Sequence, residues 1–316
     1  MAINHIQFQQ GLSFRAFQAA YGTEEQCLEA MVKAKWPVGF HCPKCGGGAA
    51  YFVARRRLFQ CKVCRHQTSV MVGTVCESSH LPLRIWFEAM YRLSQGKHSI
   101  SALELKRCLG VRYPTAYYLK QKILCATDAA ESGRKLQNRV EIDDAYAGGA
   151  THEGKRGRGA PGKQPFLVAV ETAMENHRKV IYAVLKVVSD FKRETIVAWA
   201  EQTLDPKAHV VSDGLASFAG VTETGASHEP IKSEGGWRGS KMEAFQAVNT
   251  VISNLKGNIL GVCRWCSARH LSRYLAEFQF RFNNRFDLKA IFQALLVAVV
   301  RTAPHPVRSL VNEAGG

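Results

Sequence analysis

The chain alternates between stretches whose apolar residues recur at helical spacing and stretches with the two-residue alternation of β-strands. Residues 1–38 are predicted to be helical, with a capping box that begins at Thr23 and an end at Trp36-Pro37. Further helices are predicted over residues 83–94, 100–111, 114–124, 191–204, 241–260 and 271–282. The polar residues 128–138 indicate a linker.

Strand patterns occur in two groups. Short pieces at residues 50–53, 58–60 and 68–71 flank two pairs of cysteines, as in a zinc ribbon. The second group contains a strand that begins at Val140, strands at 166–170 and 179–188, and a short buried strand at 209–214. Residues 214–240 are predicted to be loop-like. Three strands, a helix, a strand and later helices follow the order of a ribonuclease-H-like α/β domain, so we expect an α+β multidomain protein.

The charge of the chain indicates a polyanionic partner. Its 316 residues include 42 Lys and Arg against 26 Asp and Glu, a net charge of +16, which favours nucleic acid. An anionic membrane is the other candidate, but no run of about 18 apolar residues is present. Ten cysteines without a secretory signal favour a reducing compartment and metal ligation over disulfides.

Two CxxC pairs with fifteen residues between them predict a zinc site. The four thiolates of Cys42, Cys45, Cys61 and Cys64 leave no ligand position open, so the zinc is expected to be structural. The basic run Arg55, Arg56 and Arg57 lies on the hairpin between the pairs. It either contacts DNA phosphates or forms a solvated turn.

Two further regions are candidates for DNA contact. Residues 100–124 have the helix, glycine-containing turn and helix of a helix-turn-helix unit, although many helical hairpins share this pattern. The predicted contacts on the second helix are Tyr113, Thr115, Tyr118, Lys120 and Lys122. The glycine-rich loop 152–163 is predicted to contact phosphates through Lys155, Arg156 and Arg158, with a solvated insertion as the alternative.

Carboxylates inside the strand that begins at Val140 raise the question of catalysis. Asp143 and Asp144 are either a solvated strand end or part of a metal site, and alternation along the strand predicts that they serve different sites. Asp213 ends another strand, where open α/β sheets bind ligands. Asn249 and Lys256 lie two turns apart on one helix face. Asp143, Asp213 and Asn249 together can hold the two Mg²⁺ or Mn²⁺ ions of a phosphoryl-transfer nuclease.

A series of different short motifs extends along nearly the whole chain. They are Trp36-Pro37, Cys42-Pro43-Lys44-Cys45, Gln60-Cys61-Lys62-Val63-Cys64 with Thr68 and Gly73-Thr74, Leu109-Gly110-Val111, Val140-Glu141-Ile142-Asp143, Ser212-Asp213-Gly214, Ser253-Asn254-Leu255-Lys256 and the segment from His270 to Asn283. With these motifs the sequence resembles the insertion-sequence DDE transposases that carry an N-terminal zinc ribbon, the ISXO-like group related to eukaryotic Merlin elements.

The resemblance implies a ribonuclease-H-like domain that cleaves DNA at the ends of a bacterial element and joins them to target DNA. Asp143 and Asp213 match the first two acidic positions, Asn249 matches a third that varies among Glu, His and Asn, and Lys256 matches a later basic residue. The implied partners are the terminal inverted repeats, target DNA and further copies of the chain in a synaptic complex. The implied location is the bacterial cytoplasm, at the nucleoid.

Glu277 is a rival for the third acidic position, with an ion pair to Arg273 or Arg281 as its structural alternative. Cys263 and Cys266 stand where the family usually carries Thr, His and Gly, and we expect them to pack at a helix end. This departure and Asn249 leave two other functions open, a repurposed DNA-binding protein without catalysis and an ordinary nuclease. The predicted domains are a helical segment (1–38), a zinc ribbon (39–76), a helix-turn-helix-like region (80–127), a ribonuclease-H-like domain (138–292) and a tail (293–316).

Overall fold

A computed structural model of the chain describes residue 6 and residues 8–148, 163–232, 242–263 and 266–312. Its helices are α1 (Phe14–Tyr21), α2 (Glu24–Lys35), α3 (Leu83–Gln95), α4 (Ala102–Leu109), α5 (Tyr113–Glu131), α6 (Arg193–Thr203), α7 (Gln246–Cys263), α8 (Ala268–Asn283), α9 (Ile291–Arg301) and α10 (Val307–Asn312). Its strands are β1 (Ala50–Val53), β2 (Leu58–Cys61), β3 (Gln67–Thr68), β4 (Arg139–Ala147), β5 (Gln164–Ala173), β6 (Asn176–Val187), β7 (His209–Ser212) and β8 (Ser227–Pro230). Within the described residues, no helix has the length and apolar character that a membrane span requires.

The chain forms two compact units, Met1–Ala130 with Asn284–Glu313, and Glu131–Asn283 with Ala314–Gly316. The first unit is mainly helical. The capping box predicted at Thr23 is present, with its hydroxyl accepting from the Gln26 amide at 3.2 Å. Helix α9, predicted as a tail, contributes to the core of this unit through an aromatic cluster of α1, α3 and α9, which consists of Phe17, Tyr21, Phe87, Tyr91 and Phe292.

The zinc ribbon is a three-stranded antiparallel sheet in the order β1-β2-β3. One of its faces packs Phe52 and Phe59 against each other, with Phe59 in contact with the rings of Trp36 and Phe40. Strand β3 covers only Gln67–Thr68, so the strand predicted over residues 68–71 is shorter than expected.

The second unit is built on a five-stranded sheet in the order β6-β5-β4-β7-β8. The strands from β6 to β4 are antiparallel, and β4, β7 and β8 are parallel to one another. This arrangement confirms the predicted ribonuclease-H-like fold. Strand β8 lies in residues 214–240, where a loop was predicted, and α5 continues to Glu131, inside the predicted linker.

Helices cover both faces of this sheet. Strand alternation directs Val140 and Ile142 of β4 to a core shared with α6, while Ala145 faces a second core shared with α7 and α8. The outer edge of β6 is covered by α8, because the Asn283 amide bonds both the N–H and the C=O of Ala183, each at 2.9 Å. These bonds occupy the positions of a neighbouring strand and close an edge open to intermolecular pairing.

Candidate active site and zinc site

Three carboxylates converge at the ends of two neighbouring strands. The parallel pairing of β4 with β7 ends at Ile142 and Ser212, so Asp143, Asp144 and Asp213 follow at the same end. Each of the three offers a carboxylate oxygen, and these oxygens lie within 4.8 Å of one another. All three residues are partly exposed. Hard oxygen donors at this spacing are the ligands that Mg²⁺ and Mn²⁺ bind, so the residues fit such ions.

The expectation that Asp143 and Asp144 serve different sites was therefore wrong. The Asp144 amide donates to Asp143 Oδ1 at 2.9 Å, so the Asp143 carboxylate lies close to the backbone of its own strand. Both residues also lie beyond the last pair of β4 with β7, at Ile142, and no strand of the described residues pairs with this edge of β4 from there on. Carboxylates on opposite faces of a strand can meet at such an edge.

Asp213 is held by a turn and by the neighbouring strand β8. Its Oδ1 accepts the Leu215 amide at 3.1 Å, and Gly214 has a φ of +80°, a conformation that favours glycine. The buried Ser212 hydroxyl bonds His228 Nε2 of β8 at 2.8 Å. Burial, and then the nearby His209, lower the pKa of His228 below its ordinary value, which favours the neutral imidazole. Sequence reasoning missed His228 because its strand was predicted to be a loop.

The start of α7 is fixed beside Asp143. Glu141 is fully buried, and its Oε2 accepts the Val248 amide of α7 at 2.9 Å. Its other oxygen pairs with Arg139 Nη1 at 2.6 Å. Burial raises the pKa of Glu141, against the opposing effects of the Val248 amide and Arg139. Glu141 and Asp143 are two positions apart on one strand face, so this contact brings the first turn of α7, with Asn249, to the face that carries Asp143.

Asn249 and Lys256 line one open groove along α7, together with Ser253. The groove has a volume of about 550 Å³. Asn249 is partly exposed and Lys256 is exposed. An amide oxygen and an ammonium group are thus presented on the same side of one helix.

The surroundings of Glu277 fit the structural alternative, a buried ion pair with Arg281. It is 2% exposed, and Arg281 Nε lies 3.4 Å from its Oε1. Among the described residues, the acidic cluster comprises Asp143, Asp144 and Asp213 without Glu277. We therefore leave Glu277 out of the proposed site.

The four cysteines of the ribbon form a compact sulfur cluster. Their Sγ atoms lie within 4.8 Å of one another, with Cys42 to Cys64 at 3.6 Å and Cys45 to Cys61 at 3.7 Å. Four Zn–S bonds of about 2.3 Å in a tetrahedron separate the sulfurs by about 3.8 Å. The cluster fits a structural zinc ion.

Comparison with known proteins now identifies the family. Residues 135–283 match the ISXO2-like transposase domain, and residues 22–67 match the transposase zinc-ribbon domain. The chain carries an ISXO2-like transposase domain and a transposase zinc ribbon. It is also 29% identical over 298 residues to an uncharacterized protein in transposable element ISH50 of Halobacterium salinarum, which spans 87% of this chain and 97% of that protein. A transposase acts on DNA, in agreement with the excess of basic residues.

One predicted DNA contact in the helix-turn-helix region of the transposase is buried. Lys120 is 1% exposed, and its ammonium donates to the Ile100 carbonyl at 2.8 Å, so the prediction that it contacts DNA is wrong. Lys122 is half-buried, with its ammonium 3.4 Å from the Glu77 carbonyl. Thr115 and Tyr118 are partly exposed and stay candidates.

The other predicted contacts differ in their surroundings. Arg55 and Arg56 are exposed on the turn between β1 and β2. Arg57 is engaged by Glu24 at 3.1 Å and by Glu25 at 3.5 Å, so its charge is partly neutralised. Lys155, Arg156 and Arg158 of the glycine-rich loop lie outside the described residues.

Cys263 and Cys266 flank the junction of α7 and α8. Cys263 Sγ lies 3.5 Å from the Ile259 carbonyl of its own helix, and Cys266 Sγ lies 3.5 Å from the Ser267 carbonyl. Among the described residues, no third His, Cys, Asp or Glu groups with them as a metal site. These contacts fit packing at a helix end.

Proposed function

We propose that this transposase cleaves the DNA at the ends of its insertion sequence and joins those ends to target DNA. The observation that carries the proposal is the convergence of Asp143, Asp144 and Asp213 at the ends of β4 and β7. Two divalent ions bound there would activate the attacking oxygen and stabilise the leaving oxygen. Asp144 supplies the third negative charge that an amide at Asn249 lacks.

Each residue of the site has a defined part in the proposed reaction. Asp143 and Asp213 would hold the Mg²⁺ or Mn²⁺ ions, and the Asn249 amide oxygen would complete the ligand set. The exposed ammonium of Lys256 pairs with a DNA phosphate in the groove of α7. Water first attacks the phosphorus at the element end and the 3′-oxygen leaves. The resulting 3′-OH then attacks a phosphate of the target strand, and the target's own 3′-oxygen leaves.

DNA binding in this proposal is shared among regions. The ribbon, with its structural zinc, and the helix-turn-helix region hold the element ends, and copies of the chain assemble on paired ends in the bacterial cytoplasm. Net charge and the transposase family support the DNA partner. Arg55, Arg56, Thr115 and Tyr118 are the proposed contacts of these regions.

A strand-transfer assay tests the function. Duplexes with the terminal repeats found beside the gene are incubated with target plasmid and Mg²⁺ or Mn²⁺. The wild type is expected to give nicked and joined products, and Asp143→Ala is expected to give neither while it retains DNA binding. Glu201→Gln, an exposed acid on α6, is the matched control and should react normally. Normal products from Asp143→Ala would refute the site, binding without any product would favour the non-catalytic alternative, and cleavage without joining would favour a nuclease.

A further inference from the structure

The zinc ribbon presents one polar face that the catalytic proposal does not use. In the register of the sheet, Tyr51 pairs with Gln60 and Gln60 pairs with Gln67, so the three side chains form one row across β1, β2 and β3. The adjacent row, which includes Phe52 and Phe59, lies on the opposite face with the aromatic packing described above. Tyr51, Gln60 and Gln67 thus form a polar row on this face of the ribbon.

Two basic side chains contact the two ends of the polar row and fix the orientation of its side chains. Lys62 Nζ lies 4.7 Å from the centre of the Tyr51 ring, and Arg56 Nη1 donates to Gln67 Oε1 at 2.9 Å. Tyr51, Gln67, Lys62 and Arg56 are exposed, with Tyr51 at 55%. Among the described residues the Gln67 amide bonds to Arg56 alone, so its second lone pair and its NH₂ donors can still bind a ligand.

The charge of the ribbon favours a polyanion on this face. Residues 39–76 contain six Lys and Arg and no Asp or Glu. This positive charge exceeds the negative charge of a zinc ion bound by four thiolates. Phosphate groups next to Lys62 and Arg56 would release counterions and bind with a salt-dependent affinity.

We infer that the polar row reads base pairs of duplex DNA, with Gln60 and Gln67 on base edges and with Lys62 and Arg56 on the flanking phosphates. This inference rests on the proposed function, because it assigns the surface that recognises the element ends. Glutamine amides pair with the two major-groove atoms of adenine, and the major groove admits a two-stranded β-ribbon. Proteins that bind single-stranded DNA stack successive bases on several aromatic rings. The polar row contains one aromatic ring, that of Tyr51, and the Lys62 ammonium lies over it, so duplex DNA is the favoured ligand.

Selection from a random duplex library tests the inference. The full-length protein is mixed with 30-base-pair duplexes of random sequence, and the bound fraction is sequenced and its affinity measured by fluorescence anisotropy. The double variant Gln60→Ala/Gln67→Ala is expected to reduce the ratio of selected to random affinity by about tenfold or more. Gln18→Ala, an exposed glutamine on α1, is the matched control and should select as the wild type does.

Lys62→Ala provides a second and independent readout. It should weaken binding to all sequences alike and reduce the slope of log affinity against log salt by about one. Zinc content of one ion per chain shows that each variant keeps its ribbon. Unchanged selection by the glutamine variant, or tighter binding to single strands than to duplexes, would overturn the inference. Asp143→Ala should select as the wild type does. A wild type that selects its sequence but yields no cleaved product would count against the catalytic proposal alone.

Discussion

Removing one partner of the buried ion pair beneath helix α7 should cost the catalytic unit several kcal/mol of stability. The Arg139 and Glu141 side chains are 8% and 0% exposed, and they meet at 2.6 Å. Glu141 also accepts the Val248 amide, and Arg139 donates to the Ala244 carbonyl at 3.0 Å. Glu141→Ala leaves a buried guanidinium without its counter-ion, at a cost of about 3–5 kcal/mol. The helix amide that loses its acceptor adds about 1 kcal/mol.

Urea denaturation of the full-length protein, followed by far-UV circular dichroism, measures this effect. The free energy of unfolding of Glu141→Ala should fall by about 4–6 kcal/mol. The double variant Arg139→Met/Glu141→Leu should recover most of that loss, since it removes both buried charges together. Glu243→Ala breaks the exposed pair with Arg178 and should leave the transition unchanged within error. A Glu141→Ala transition within about 1 kcal/mol of the wild type would refute the reasoning.

Three contacts elsewhere in the structure give further predictions. The pKa of His228 is lower in the folded than in the unfolded chain, so protons favour unfolding and stability should fall as the pH drops below about 6.5; His228→Gln should show a smaller fall in thermal melts between pH 7 and pH 5. Cys61→Ser should lose the zinc ion and unfold the ribbon, measured as zinc content and as protease cleavage within residues 39–76; retained zinc and protection would contradict the site. Asn283→Asp places a carboxylate opposite the Ala183 carbonyl and should reduce stability by about 1–3 kcal/mol in urea, whereas a wild-type transition would show that the amide does not hold β6.

Most of the correct predictions came from motifs that are far apart in the sequence and from the order of the predicted elements. Paired cysteines at fixed spacing identify a zinc ribbon because tetrahedral ligation demands four thiolates, whatever the rest of the ribbon contains. Apolar periodicity located helices such as α3 and α8 to within a few residues. The order of strands and helices around Asp143 and Asp213 was sufficient for the fold, because few topologies accept that order.

The failures have local physical causes. Strand β8 is short, polar and ends at Pro230, so it lacks the apolar alternation of a strand and depends on pairing with β7. Lys120 lies four residues after the buried Ala116 and three before the buried Ile123, so helical spacing places it on the inward stripe. The prediction failed because a lysine is rarely buried, so its charge suggested an exposed position. The convergence of Asp144 with Asp143 depends on the end of a strand pair, which no period in the sequence marks.

Binding of Mn²⁺ in solution tests the central claim most directly. Electron paramagnetic resonance counts free Mn²⁺ during titration of the protein, in the absence of DNA and therefore independently of activity. The wild type is expected to bind Mn²⁺, and Asp213→Asn should weaken that binding by at least about tenfold, a loss that even outer partners of metal ligands can cause. Glu201→Gln should bind as the wild type does. Equal Mn²⁺ affinity of the wild type and Asp213→Asn would contradict a shared metal site at the ends of β4 and β7.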